Sequence, residues 1–159
     1  MRSFLRWPDA RLRTPATPVG EVTDEHRRIW DEMLDLMYAM PGVGLAAPQI
    51  GVMLRLAVVD DGSGPTRLAD PRVIAASAQL RTHEEASPNL PGVSAVVKRP
   101  RAVTVAFTDE TGQSREEEFV FLRATSVQHQ IDHLDGKMYF DRLSRTKRDI
   151  LLRKAAKCA

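Results

Sequence analysis

The segment Ser126-Val127-Gln128-His129-Gln130-Ile131-Asp132-His133-Leu134 restricts the fold more than any other part of the chain. Val127, Ile131 and Leu134 recur at helical spacing, so the stretch from about Ala124 to Leu134 reads as a helix with a buried apolar stripe, closed by Gly136 as its C-cap. The same helix carries His129 and His133 four residues apart, which sets both imidazoles on one face, able to meet a single metal ion. Such a site is half complete. In metallohydrolases with two histidines at this spacing, the residue after the first is a glutamate that takes a proton from metal-bound water. Here that residue is Gln130, and a carboxamide has no comparable basicity.

With 159 residues, 43% of them hydrophobic and 28% charged, the chain predicts one folded domain over residues 1–159 and excludes a disordered or fibrous class. A net charge of +2 is too small to argue for nucleic acid, and no nucleic-acid motif is present. The basic cluster Arg142, Arg145, Lys147, Arg148, Arg153, Lys154 and Lys157 reads as the solvated face of a last helix. The single cysteine, Cys158, offers no disulfide framework. No apolar run approaches membrane-spanning length and the N-terminus lacks an uninterrupted apolar secretory core, so no membrane partner and a cytoplasmic location are expected.

Pro8, Pro15, Pro18 and Gly20 rule out a long helix over residues 1–22 and predict an extended arm laid on the body. From Asp24, after an N-cap at Thr23, Ile29, Met33, Met37 and Met40 recur at helical spacing with Trp30 and Leu34 alongside; the methionines read as core filling, and the helix ends at Pro41-Gly42. Gly42 to Gly51 holds three glycines around Gln49, which reads either as a tight turn between helix and strand or as a place where a backbone or ligand approaches closely. Leu54 to Asp60 predicts a strand, Asp61 to Pro65 a turn, and Asp70-Pro71 a second break. Val73 to Glu84 and Val93 to Lys98 look extended but irregular, around a proline-marked loop from Glu84 to Gly92. Arg101 to Thr108 and Glu116 to Leu122 predict an antiparallel hairpin. A last helix starts after Ser144 and presents Ile150, Leu151 and Leu152 to the body. Strands grouped before helices, without regular alternation, give an α+β class.

Three segments in this order resemble the peptide deformylase family, metalloenzymes that remove the N-formyl group from the initiating methionine of new chains. The family signatures G-x-G-L-A-A-x-Q, E-G-C-L-S and Q-H-E-x-D-H stand here as Gly42-Val43-Gly44-Leu45-Ala46-Ala47-Pro48-Gln49, Glu85-Ala86-Ser87-Pro88-Asn89 and Gln128-His129-Gln130-Ile131-Asp132-His133. The resemblance covers nearly the whole chain. It implies mixed or antiparallel sheets around a central helix that carries His129 and His133. It also implies metal-ligand positions at Ser87, His129 and His133, for ferrous iron replaceable by zinc or nickel. Gln130 then stands where the family has its general base, Gln49 stands at the oxyanion position, and Gly44, Leu45 and Pro88 line the substrate trough.

The departures from the family pattern fall on the chemistry. Ser87 replaces the thiolate ligand with a hydroxyl that stays protonated, so any divalent metal is expected to be weakly held, with Glu85 the nearest carboxylate able to swing in as a third ligand. Gln130 removes the proton carrier, and Pro88 has no backbone N–H to offer an oxyanion. Without metal, His129 and His133 read as network histidines bonded to Gln130, Ser87 or a water. Three functions follow from the resemblance. The first is a deformylase-like protein without deformylase activity, whose partners are peptide N-termini or nascent chains. The second is a weak or altered metallohydrolase that reuses Ser87, His129 and His133. The third is a ribosome-associated binding module acting through the basic last helix.

Overall fold

The computed structural model describes residues 2–158. The proline-marked arm contains one 3-10 turn, Ala10–Arg13, capped by the Asp9 carboxylate, which accepts from the Arg11 N–H. Elsewhere the arm is extended, and its backbone stitches together the three motif segments. The Leu5 N–H donates to Gln49 O and the Trp7 N–H to Asn89 O, both at 2.8 Å, and the Ala16 N–H donates to Leu134 O at 2.9 Å. Prolines prevent the arm from satisfying itself as a helix, so its N–H groups are free to bond to the body.

Helix α1, Asp24–Ala39, starts where the Thr23 N–H donates to His26 Nδ1 at 3.0 Å. Ile29, Trp30, Met33, Leu34 and Met37 form its buried stripe, whereas Met40 lies beyond the last turn and lines a cleft instead. The glycine-rich stretch that follows is not a simple turn. It forms a three-residue strand β1, Gly44–Ala46, and a 3-10 turn, Ala47–Ile50, closed by Gly51 at φ 81°.

Strand β1 is the edge of a five-stranded antiparallel sheet completed by β2 (Leu56–Val59), β3 (Thr66–Ala76), β6 (Ala102–Thr108) and β7 (Ser114–Val120), in the order β1-β2-β3-β6-β7. The expected hairpin is the β6–β7 pair, with Val105 opposite Glu117. Strands β4 (Leu80–Glu85) and β5 (Ala95–Pro100) make a separate antiparallel pair. The predicted break at Asp70-Pro71 is instead a bulge inside β3, where the register slips between Ala69 and Arg72 and Asp70 takes φ 49°. The Asp70 carboxylate accepts from the N–H groups of Val19 and Gly20, so the bulge anchors the arm.

Helix α2, Phe121–Leu134, packs Val127, Ile131 and Leu134 on Ala57, Val59, Leu68, Val103, Val105, Phe107 and Phe119. Helix α1 packs on Leu56, Val58 and Ala69, the alternate residues of the same strands, so the sheet lies between the two helices at this end. That explains why β2 is apolar at every position. The α+β expectation, with antiparallel sheets around the histidine-bearing helix, matches this arrangement. Helix α2 is buried on all sides from Ala124 to Leu134, not along one stripe, because strands, the arm and the β4–β5 pair enclose it.

Helix α3, Arg145–Lys157, is capped by Ser144, whose Oγ accepts from the Lys147 N–H at 3.3 Å. Leu151 is buried and Leu152 half-buried, but Ile150 is 44% exposed, because three consecutive helical residues cannot all face one side. No described helix is long and apolar enough to cross a membrane.

Gly136 follows α2 at φ 76°, and a Cβ there would lie 2.7 Å from Arg13 O. Left-handed backbone in a residue with a side chain costs about 1–3 kcal/mol even without such a clash. Gly136→Ala is therefore expected to lower unfolding free energy by at least ~1–3 kcal/mol in urea titrations. A change within ~0.5 kcal/mol would mean that the arm gives way without cost.

Candidate functional site

The three motif segments converge on one cleft of about 380 Å³. The stretch 40–44 forms one wall, the end of β4 with residues 86–88 forms another, and α2 forms the floor. Gly44, Gln49, Ser87, Pro88, His129 and Gln130 all line it. Leu45 is fully buried on the α1 side of the sheet, and His133, 2% exposed, is not part of the lining. A volume of this size suits a few side chains of an extended ligand.

Gly44 is a glycine for a reason visible in the packing. A Cβ there would stand 2.4 Å from Ser126 Oγ and 2.5 Å from Gln130 Nε2, so the first group that approaches this backbone is α2 itself. Ser126 Oγ then donates to Val43 O at 2.9 Å, fixing the strand to the helix.

His129 Nδ1 stands 2.8 Å from Glu85 Oε1, and His129 Nε2 stands 3.1 Å from His133 Nε2. Burial alone would raise the Glu85 carboxyl, but bonds from Arg99 and His129 outweigh it and hold the group at about 2. Glu85 is thus an ionised acceptor, and His129 Nδ1 carries a proton toward it. Burial, with smaller effects from His129 and Arg99, holds His133 well below the ordinary histidine value. At 3.1 Å one Nε2 donates to the other, so the two rings hold a single shared proton between them. That leaves His133 Nδ1 buried without a protein partner. The histidines bond to Glu85 and to each other, not to Gln130 or Ser87 as the sequence suggested.

Behind Glu85 runs a buried ionic chain. Arg99, 1% exposed, donates through Nε and Nη2 to both Glu85 oxygens at 2.6 and 2.8 Å, and through Nη1 to Asp132 Oδ2 at 2.9 Å. Arg142 closes on Asp132 through two bonds at 2.7 and 2.8 Å. This ionic chain fixes the plane of His129 through Glu85. It also corrects the expectation for Glu85, which is engaged by Arg99 and by the far nitrogen of His129, and is not positioned to swing in as a third ligand. Tyr139 stacks on His129 at 6.0 Å between ring centroids, and burial followed by the Glu85 charge pushes its hydroxyl up to about 12.

Ser87 faces another direction. Its Oγ donates to Asn89 Oδ1 at 3.0 Å and accepts from the Asn89 N–H at 3.3 Å and from Gln49 Nε2 at 3.4 Å. Gln49 Nε2 donates to Asn89 Oδ1 at 2.8 Å, and Gln49 Oε1 accepts from the Ala46 N–H at 2.9 Å. Asn89 Nδ2 in turn donates to Leu5 O at 2.7 Å and to Gln49 O at 3.0 Å. Among the described residues no hydrogen bond joins Ser87 to either histidine, and no three His, Cys, Asp or Glu side chains stand where they could hold a metal ion together.

The metal that the resemblance implies would have to be held by these donors. Two imidazole nitrogens 3.1 Å apart come close to the spacing of about 3.3 Å expected of two ligands on one tetrahedral ion. The third position carries a neutral hydroxyl whose proton is committed to Asn89, and such a group is a poor ligand for iron, nickel or zinc. The set does not fit a firmly held metal. Gln130, next to His129 on the cleft floor, presents a carboxamide whose Oε1 is buried without a protein partner. It can donate or accept a hydrogen bond, but it cannot carry a proton between reactants.

Sequence reasoning missed Asn89, Arg99 and Asp132 as parts of this site. A signal existed for one of them: Val97 and Arg99 alternate along β5, so Arg99 shares the inward face with a buried valine. An arginine at such a position requires buried carboxylates opposite it.

Comparison with known proteins agrees with the geometry. A family model described as polypeptide deformylase matches residues 1–149. The chain is 41% identical over 166 residues to the peptide deformylase of Rhodopseudomonas palustris (strain BisB5), covering 100% of this chain and 95% of that protein. It is 40% identical over 164 residues to the peptide deformylase of Rhizobium meliloti (strain 1021), covering 100% of this chain and 94% of that one. Among solved structures, a peptide deformylase from Legionella pneumophila superposes with a TM-score of 0.91 at 38% identity, over 99% of this chain and 94% of that one. A peptide deformylase from Synechococcus elongatus in complex with actinonin superposes with a TM-score of 0.91 at 34% identity, over 98% and 86% of the two chains.

Proposed function

The chain belongs to the polypeptide deformylase family, and from that premise we propose that it keeps the family's cleft for peptide N-termini while lacking N-formylmethionyl-peptide deformylase activity. The observation that carries this reading is Gln130, a carboxamide beside His129 where the reaction needs a group that accepts and returns a proton. Losing a positioned proton carrier typically costs about 10²–10⁴ in rate. Ser87 and Pro88 point the same way. The hydroxyl of Ser87 is bonded to Asn89, and Pro88 has no N–H for a developing oxyanion, a donor worth about 10²–10³. These losses belong to one catalytic unit, so their costs are not multiplied.

Peptide binding depends on different groups. Residues 42–44 and 84–86 both line the cleft, and their backbones can pair with an extended chain laid in it. Met40, Val43, Leu90, Val93 and Leu122 give the cleft an apolar part that suits a hydrophobic first residue.

A weak metallohydrolase is the second reading, favoured by one observation: the two Nε2 atoms already converge to 3.1 Å. Metal analysis of protein purified anaerobically, with a deformylation assay on formyl-Met-Ala-Ser in the same sample, separates the two. The expected result is well under one equivalent of iron, nickel or zinc, no turnover, and a melting temperature that chelator leaves unchanged, since a core of this size does not need a metal to fold. Stoichiometric metal with measurable turnover establishes the second reading. Co-sedimentation with ribosomes tests docking through the basic helix α3.

A further inference from the structure

We propose that Asn89 is a positioning residue that locks the Gln49 carboxamide and the Ser87 hydroxyl into a closed network, so that neither group is offered to a ligand in the cleft. Gln49 Oε1 accepts from the Ala46 N–H, and its Nε2 donates to Asn89 Oδ1 at 2.8 Å with Ser87 Oγ as a looser second acceptor at 3.4 Å. Asn89 uses every side-chain group. Its Oδ1 accepts from Gln49 and Ser87, and its Nδ2 donates to Leu5 O and Gln49 O.

The network also fixes which way each amide points. Turning Gln49 over would set its NH2 against the Ala46 N–H and its oxygen against Asn89 Oδ1, two repulsive contacts in place of two bonds. Turning Asn89 over would set its oxygen against the carbonyls of Leu5 and Gln49 and its NH2 against that of Gln49. Each carboxamide therefore has one permitted orientation, and each enforces the other. Gln49, Ser87 and Asn89 are 2%, 4% and 1% exposed, so water does not compete for these bonds. The shorter of the two bonds from Gln49 Nε2 goes to Asn89, and it sets the plane of the amide.

This proposal rests on the peptide-cleft reading for its binding test but not for its exchange test. Side-chain amide hydrogen exchange of Gln49, followed by NMR in the intact protein, is expected to be at least about tenfold slower than that of an exposed glutamine. In Asn89→Ser and Asn89→Ala the protection is expected to vanish. In the same variants the affinity for formyl-Met-Ala-Ser is expected to rise by about three- to tenfold over that for unformylated Met-Ala-Ser, because the released N–H groups then reach the formyl oxygen. A residue that only supports the fold would change both affinities together and leave their ratio where it was. Fast exchange of Gln49 in the unaltered protein overturns the proposal, and this measurement decides even if the variants fail to fold. An unchanged affinity ratio in variants whose Gln49 exchanges fast overturns it as well. If neither peptide binds either protein, the cleft reading fails while the exchange rates still decide the lock.

Discussion

Arg99→Met is expected to cost the fold about 3–5 kcal/mol, a large fraction of the stability of a domain this size. Arg99 is almost completely buried and serves two carboxylates, so its removal acts through what it leaves behind. Asp132 keeps two bonds from Arg142, but Glu85 keeps only His129. A carboxylate left in the interior with a single remaining partner is costly. The check is a double-mutant cycle by urea denaturation with Glu85→Leu. Removing both members replaces an ion pair with apolar volume, so the double variant should be more stable than Arg99→Met by ~2 kcal/mol or more. If the two single losses simply add, the pair is not coupled and the chain behind His129 is not a unit.

How the sequence foretold this molecule depended on where the partners of each residue lay. Helix α1, the β6–β7 hairpin and the Ser144 cap are local: their periodicity or turn residues stand within one segment, and they formed within a few residues of the expected bounds. The Asp70-Pro71 pair was misjudged because a proline and an aspartate normally end a strand. Here the carboxylate finds the arm fifty residues earlier and keeps β3 intact across a bulge. The glycine-rich motif was open to two readings because its strand partner, β2, and its close neighbour, α2, are both outside the motif.

The site divides in the same way. The histidine pair could be placed on one helix face from spacing alone, and their Nε2 atoms do meet. Their orienting groups could not, because Glu85, Arg99, Asp132 and Arg142 come from β4, β5, α2 and the turn before α3, and only the fold brings them together. Asn89 was readable as a member of a motif but not as the partner of Gln49, forty residues away. Glu85, Asn89 and Asp132 stand inside the motifs, but the motifs do not say which groups they bond, because Arg99 and Arg142 lie outside them.

On the function proposed above, installing the family's residues should bring activity in a strongly non-additive order. Ser87→Cys alone is expected to bring in a thiolate beside two imidazoles, and with it metal binding, but little turnover, since Gln130 still cannot take up a proton. Gln130→Glu alone is expected to do less. The double variant should deformylate formyl-Met-Ala-Ser measurably, and adding Pro88→Leu should raise the rate by up to about 10²–10³ by returning an N–H to the oxyanion. Here the hydrogen bonds around Asn89 add a condition. In the triple variant Gln49 still donates to Asn89 Oδ1, so the second oxyanion donor remains engaged, and Asn89→Ser should release it for a further gain. That last step should raise kcat/KM, because the freed N–H meets the formyl oxygen in the bound substrate and holds it more strongly as charge develops there. If the quadruple variant binds a full equivalent of metal and still fails to turn over, the backbone of the cleft itself has moved away from the family's geometry. Peptide binding would then have to be abandoned along with catalysis.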